Sequence, residues 1–195
     1  MRTELMRSIE EIFNDRSCYK FQNKPVPLEL LQEIYNLMKM GPTSGNSCPL
    51  RIIFVQSEAG KAKLLKCLAT GNVEKSKSAP VTAIFAYDLE YYNKMDKLAP
   101  HNPNMKGNIS SSKEMIFDTA FRNSTLQAAY FMIIARAKGI DSGAMSGFNE
   151  KALNEAFFAN SSYRVNFVLN LGYRNGENPF PKLPRLDFNE ACQVV

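Results

Sequence analysis

The sequence predicts an α+β or α/β sandwich in which helices cover a small sheet, and three observations carry that expectation. Helical and strand periodicities are interspersed along the 195 residues, and only a few segments read as strands. With 45% hydrophobic and 22% charged residues the chain can bury a substantial core. Composition does not break anywhere along it, so residues 1–195 are expected to form one domain.

The first element is a helix near residues 3–13, within MRTELMRSIEEIF. Charges run through it, and the apolar core and small-residue cleavage site of a signal peptide are missing, so the cytoplasm is the expected location. Leu28, Leu31, Ile34, Tyr35, Leu37 and Met38 recur at helical spacing and predict a helix over 27–40. Ile52-Ile53-Phe54-Val55 then predicts a buried strand over 51–56. A helix over 58–69 carries Lys61, Lys63 and Lys66, which with Lys75 and Lys77 read as a solvated face. A second strand is expected over 81–87. Residues 91–112, with Pro100, Pro103, Gly107 and a serine triplet, predict a long loop of the kind that serves as a lid or partner-binding element.

The helix over 114–138 is unusual. Its second half is apolar nearly all round, through Ala128, Tyr130, Phe131, Met132, Ile133, Ile134 and Ala135, which predicts burial on several sides and, in so small a chain, a subunit interface. Arg122-Asn123-Ser124 interrupts the pattern, and polar groups buried there require partners. A strand over 140–143, a helix over 149–158 and a strand over 165–171 complete the expected elements. The longest apolar stretch, Leu126 to Ala137, contains Gln127 and Arg136 and falls short of the roughly 20 residues that span a bilayer.

Other chemistries are disfavoured. Cys18, Cys48, Cys67 and Cys192 lie far apart and His101 is the single histidine, so no zinc site is expected and each cysteine reads as a small apolar filler. The net charge of +5 comes from scattered basic residues, without a nucleic-acid-binding signature, and suits anionic small molecules better than nucleic acid.

Between the second helix and the first strand stands Gly41-Pro42-Thr43-Ser44-Gly45-Asn46-Ser47-Cys48-Pro49. Its hydroxyls, its Asn amide and its backbone N–H groups suit the heteroatom edge of a flat polar ligand, while Pro42 and Pro49 stiffen its ends. An ordinary helix-to-strand turn is the plainer reading of the same residues.

Taken together, six segments resemble the nitroreductase superfamily. They are Arg16 to Lys20, the 41–49 loop, Gly71-Asn72-Val73-Glu74-Lys75, Ala120-Phe121-Arg122-Asn123-Ser124-Thr125-Leu126-Gln127, Gly143-Ala144-Met145-Ser146-Gly147-Phe148 and Pro181-Lys182-Leu183-Pro184-Arg185-Leu186, in family order over nearly the whole chain. The AFRNSTLQ and MSGF segments are most similar to the branch of malonic semialdehyde reductases, also called 3-hydroxypropionate dehydrogenases. Cys18 stands where relatives commonly carry a polar residue, Ser146 where many classical members are acidic, and Cys48 and Leu50 where glutamine and an aromatic often follow the loop. These departures favour the semialdehyde branch over classical nitroaromatic substrates.

The resemblance implies an α+β homodimer with FMN at the subunit interface and NADH or NADPH as electron donor. It implies that Arg16 and Ser17 contact the FMN phosphate or ribityl chain with Lys20 nearby, and that Lys182 and Arg185 hold phosphate. Pro42, Thr43, Ser44 and Asn46 would come from the second subunit. Asn72 and Lys75 would face the pyrimidine edge, and Met145, Ser146 and Gly147 would run past the flavin. Arg and Lys donors suit a dianionic phosphate, and a cation near the pyrimidine edge stabilises reduced flavin. No side chain need be a covalent catalyst, and the absence of G-x-G-x-x-G fits a nicotinamide that visits and leaves. Arg122, Asn123 and Ser124 are candidates for the carboxylate of the semialdehyde. The alternatives are a broad nitro or quinone reductase and a non-catalytic flavin- or anion-binding protein.

Overall fold

A computed structural model describes residues 6–178 and 181–195, so the start of the expected 3–13 helix lies outside the described residues. Helix α1 (Ile9–Asn14) opens on a capping box in which Ser8 Oγ accepts from Glu11 N and Glu11 accepts from Ser8 N. Helix α2 (Leu28–Met38) turns Leu31, Ile34 and Met38 inward, and a short 3-10 turn at Ser44–Asn46 leads to strand β1 (Leu50–Val55). Helices α3 (Glu58–Leu65) and α4 (Thr70–Ser78) precede strand β2 (Val81–Asp88). After α5 (Met95–Leu98) and α6 (Met105–Ile109) comes α7 (Lys113–Ala137), the longest helix described. Strand β3 (Asp141–Met145), helix α8 (Glu150–Phe158), strand β4 (Tyr163–Gly172) and a last turn of helix, α9 (Phe188–Ala191), follow.

The four strands form one antiparallel sheet in the order β1-β2-β4-β3, the α+β arrangement expected. Side chains alternate across it with the period of two that a strand imposes. Phe85, Leu169 and Leu171 meet Leu31 and Ile34 of α2 and Phe131 of α7 on one face. Ile84, Val168 and Val165 meet Leu64 of α3 and Leu153 and Phe158 of α8 on the other. Phe131 stands edge-on to Phe85 with ring centroids 5.5 Å apart, so α7 is keyed to the centre of the sheet.

The apolar second half of helix α7 is buried or half-buried from Ala128 to Ala135, as expected, whereas the part before it keeps apolar surface. Ala120, Ala128, Phe131 and Ala135 are fully buried, but Phe117, Phe121 and Leu126 keep 45, 43 and 40% of their surface exposed. Phe117 and Phe121 stack on each other at 5.7 Å, and both meet Tyr87 edge-on.

Two expectations are corrected. Helix α4 was not expected, because TGNVEKSKS has a glycine, two β-branched residues and little apolar periodicity. Tertiary hydrogen bonds hold it: Asn72 Nδ2 donates to Gly147 O at 2.7 Å and Ser76 Oγ accepts from Asn170 Nδ2 at 3.0 Å. Residues 91–112 are also no open loop. Tyr91, Met95 and Ala99 are buried there, and the Tyr91 hydroxyl donates to Ile109 O at 2.8 Å.

Candidate functional site

The predicted residues fall at two places, and the sheet register decides how far apart they are. One group gathers where the 15–20 arm crosses the start of β3. Cys18 N donates to Ser142 O at 2.8 Å, tying the arm to the strand. Behind it Asp141, with only 7% of its side chain exposed, accepts from Arg7 at 3.0 Å and from the Arg174 backbone at 2.8 Å, and Arg174 pairs with Asp15 at 2.5 Å. Arg136, from α7, donates to Ser142 Oγ and to Ile12 O, each at 3.0 Å. Burial lowers the Arg136 pKa, and the carboxylates of Asp15 and Asp141 oppose that shift.

This partly buried charge network lies behind the arm, whose Ser17, Tyr19 and Lys20 face solvent. The Arg16 guanidinium donates to Pro181 O, and Lys182 Nζ donates to Phe13 O at 3.1 Å and Asn14 Oδ1 at 3.3 Å, so the arm and the C-terminal segment meet. Ser17 and Lys20 lie exposed on the same arm, their carbonyls accepting from Asn178 Nδ2 and Asn175 N. Arg185 donates to Leu183 O and Pro184 O within its own segment, and no described contact brings it to Arg16. Cys18 itself is 2% exposed, and burial, with the Asp141 carboxylate, pushes its thiol up to about 11.

The far end of β3 adds the second part of this group. Ser146 is exposed and Met145 is buried beneath it against Ser76, whose Oγ lies 3.7 Å from the thioether sulfur. Gly147 O accepts from both Ala69 N at 3.0 Å and Asn72 Nδ2 at 2.7 Å. A Cβ at position 147 would lie 2.6 Å from that Nδ2, so a side chain there would displace the Asn72 amide from this hydrogen bond. The Asn72 amide nitrogen is therefore engaged with Gly147. Lys75 is half-buried with its ammonium 5.3 Å from the centre of the Tyr19 ring, and burial lowers its pKa. Lys61 likewise departs from the solvated face expected for it, reaching Ala79 O, and burial lowers its pKa too.

The other group is the 41–49 loop at the start of β1. Gly45, Asn46 and Cys48 all have left-handed backbone, with φ of 57, 54 and 42°, which is costly for the two residues with side chains. Hydrogen bonds hold this shape. Thr43 Oγ1 accepts from Cys48 N at 3.3 Å, Asn46 Nδ2 donates to Leu98 O at 2.8 Å, and Asn123 Oδ1 accepts from Ser44 N at 2.8 Å. Pro42 O accepts from the Tyr130 hydroxyl at 3.2 Å. At the base Arg51 pairs with the buried Asp88 at 2.6 Å and donates to Cys48 O at 3.0 Å.

The residues considered for a substrate carboxylate separate. Asn123 is buried and also donates to Thr119 O at 2.8 Å; Ser124 is buried, donates to Phe121 O and accepts from Asn166 Nδ2, both at 3.0 Å. Arg122 is exposed, 3.6 Å from Asp118 on the same helix. Sequence reasoning missed Asp15, Asp141, Arg136, Arg174 and Gln127. Two carboxylates flanking a run of apolar elements were the available signal, since buried charge requires a partner.

Leu50 pairs with Tyr87, and Tyr87 with Arg164 near the beginning of β4, whereas Asp141 pairs with Gly172 at its end. The loop and the 15–20 arm thus occupy diagonally opposite corners of the sheet, separated by about 14 Å across the strands and about 20 Å along them. One chain does not bring them together. Among the described residues no group of His, Cys, Asp or Glu could hold a metal ion, and no helix is long and apolar enough to cross a membrane.

Comparison with known proteins gives one consistent result. Residues 12–173 match the model of the Nitroreductase family. A protein of Cupriavidus pinatubonensis named NADH dehydrogenase/NAD(P)H nitroreductase is 49% identical over 190 residues, covering 96% of this chain and 97% of the relative. A protein of the same name from Polynucleobacter asymbioticus is 45% identical over 190 residues, covering 97 and 96%. Among solved structures, a nitroreductase from Exiguobacterium sibiricum described in complex with FMN superposes with a TM-score of 0.85 at 20% identity, covering 97% of this chain and 98% of that one.

Proposed function

The chain belongs to the nitroreductase family, and from that premise we propose that it is an FMN-dependent NAD(P)H oxidoreductase that reduces malonic semialdehyde to 3-hydroxypropionate. The observation that carries the cofactor reading is that Arg16 and Lys182 join the 15–20 arm to the C-terminal segment, where Cys18 bonds the arm to the start of β3. The residues fit the cofactor. Arg16 and Lys182, with Lys20 on the same arm, would supply the cations that a dianionic phosphate requires, and the exposed Ser146 with the half-buried Gly147 would set only small residues beside a planar ring. The relatives' names specify NAD(P)H and the Exiguobacterium structure holds FMN, in agreement with this reading.

FMN, when bound, supplies reversible acceptance and donation of a hydride. The chain supplies the rest. Arg16, Lys182 and Arg185 would hold the phosphate, with Ser17 and Lys20 on the same arm as Arg16 beside it. Lys75 places a cation where negative charge develops, and its partial desolvation strengthens that interaction. Donor and acceptor use the same space in turn, which predicts ping-pong kinetics.

A homodimer is part of this reading, and the diagonal separation of the two groups supports it. A second copy can bring its Pro42, Thr43, Ser44 and Asn46 to the arm of the first, and a two-fold axis then builds two equal sites. The exposed Phe117, Phe121 and Leu126 of α7, with Leu183, Leu186 and Phe188, supply apolar surface for such a contact.

The acceptor rests on the AFRNSTLQ and MSGF segments, with Arg122 as the cation available to a carboxylate, since Asn123 and Ser124 make internal hydrogen bonds. A broad nitro or quinone reductase is the second reading, favoured by the relatives' names. The ratio of kcat/KM for malonic semialdehyde to that for a quinone and a nitroaromatic decides between them. A semialdehyde that leaves reduced enzyme unoxidised while quinones react rapidly refutes the narrower reading.

A further inference from the structure

Asn123, Gln127 and Tyr130 stand at i, i+4 and i+7 on α7, the spacing that lines one face of a helix. Each is hydrogen-bonded to the main chain of the same 42–50 segment. Asn123 Oδ1 accepts from Ser44 N at 2.8 Å, Gln127 Oε1 accepts from Leu50 N at 3.0 Å, and the Tyr130 hydroxyl donates to Pro42 O at 3.2 Å. The Tyr130 ring also lies where a Cβ on Gly41 would be, 2.3 Å from its Cδ2, so the chain enters the loop flat against that ring. Asn123 is 4% and Gln127 3% exposed, so water is poorly placed to replace either bond.

We infer that these three side chains are positioning residues, a polar stripe that fixes the 42–50 main chain in its left-handed course and so presents the loop to the flavin. The assignment rests on the proposed reading that the loop lies along FMN. It explains why the polar groups interrupt an otherwise apolar helix: their partners are backbone atoms of the loop. It also explains how two non-glycine residues keep positive φ, at 54 and 42°, since a strained segment persists only where its surroundings over-determine it. Asn123 has the central part, because Ser44 lies in the middle of the loop while the other two bonds clamp its ends.

The test compares wild-type protein with Asn123→Leu, which keeps the side-chain size and removes the acceptor, and Tyr130→Phe, which removes one oxygen. Asn166→Ala is the control, since it removes hydrogen bonds from Asn166 to Ser124 and Thr125 of the same helix but none to the loop. FMN dissociation constants and the rate of flavin reduction by NADH at saturating FMN are measured for each. Losing a buried hydrogen bond predicts an FMN affinity about tenfold weaker and slower reduction for Asn123→Leu. Tyr130→Phe should move both in the same direction by less, and Asn166→Ala neither. Should Asn123→Leu not fold, Tyr130→Phe decides. Wild-type values for both loop variants, or an equal loss in Asn166→Ala, overturn the inference. Wild-type protein that binds no FMN at all refutes the cofactor reading instead.

Discussion

The corner where the 15–20 arm meets β3 is fixed by charge, whereas the corner at the 41–49 loop is fixed largely by neutral side chains of α7 bonded to main chain. At the first, Asp15 and Asp141 balance Arg7, Arg136 and Arg174, with the cationic face of Arg16 and Lys20 outside them. At the second, Asn123, Gln127 and Tyr130 set the backbone, and Arg51 with Asp88 secures only the base. On the proposed reading a phosphate needs cations at the arm, and the carboxylates of Asp15 and Asp141 pair with Arg7 and Arg174. On the same reading a neutral ring edge needs aimed N–H groups and hydroxyls, which uncharged anchors provide without adding a competing charge.

Removing charge should therefore damage the first corner most. Asp141→Ala leaves Arg7, Arg136 and Arg174 close together with only Asp15 to balance them, and should lower unfolding free energy by about 3 kcal/mol in urea titrations. A loss below about 1 kcal/mol would mean that water already screens the network. Arg16→Ala should weaken FMN binding by roughly 1.5 to 3 kcal/mol, the worth of a hydrogen bond to a charged group, as measured by fluorescence titration. Lys63→Ala, on an exposed side chain, should leave binding close to wild type, and equal affinities in the two variants would remove the phosphate assignment.

Lys75→Met separates stability from function. Burial lowers the Lys75 pKa, so the charged form is held at a cost in the fold. The flavin-free variant should melt no lower than wild type while its flavin is reduced more slowly by NADH. The smallest effect at neutral pH belongs to Cys18. Its thiol sits at about 11 in the fold against the ordinary 9.0, so the folded state holds the proton more tightly. That contribution is fully present below pH 9.0 and is lost as pH rises through about 11. Cys18→Ser retains a donor for Lys20 O and should flatten the fall of stability across that window in pH-dependent unfolding.

The strands and long helices were legible because their apolar periodicities are strong: Ile52 to Val55, residues 81–87 and the 114–138 helix all lie within a few residues of the observed elements. Helix α4 was not, since Asn72 and Ser76 hold it through partners distant in sequence. The loop was recognisable by its small polar residues, and the interruption of α7 announced that Asn123 and Ser124 needed partners. Which partners they have depends on how α7 crosses the start of β1, and local spacing does not encode that. The diagonal placement of the two corners was equally hidden, because it follows from strand order and register.

The central claim is that one flavin uses the arm of one chain and the loop of another, and mixing two defective chains tests it most directly. Arg16→Ala spoils the arm and Asn123→Leu spoils the loop. Purified separately, each should bind FMN weakly; unfolded together and refolded at equal concentration, they form heterodimers in which one site draws its arm and its loop from intact segments. About a quarter of all sites should then regain wild-type FMN affinity and NADH-dependent flavin reduction, as two-fold symmetry with random pairing requires. Mixtures no better than the average of the two separate variants would show that each site is built within one chain, and would contradict the account.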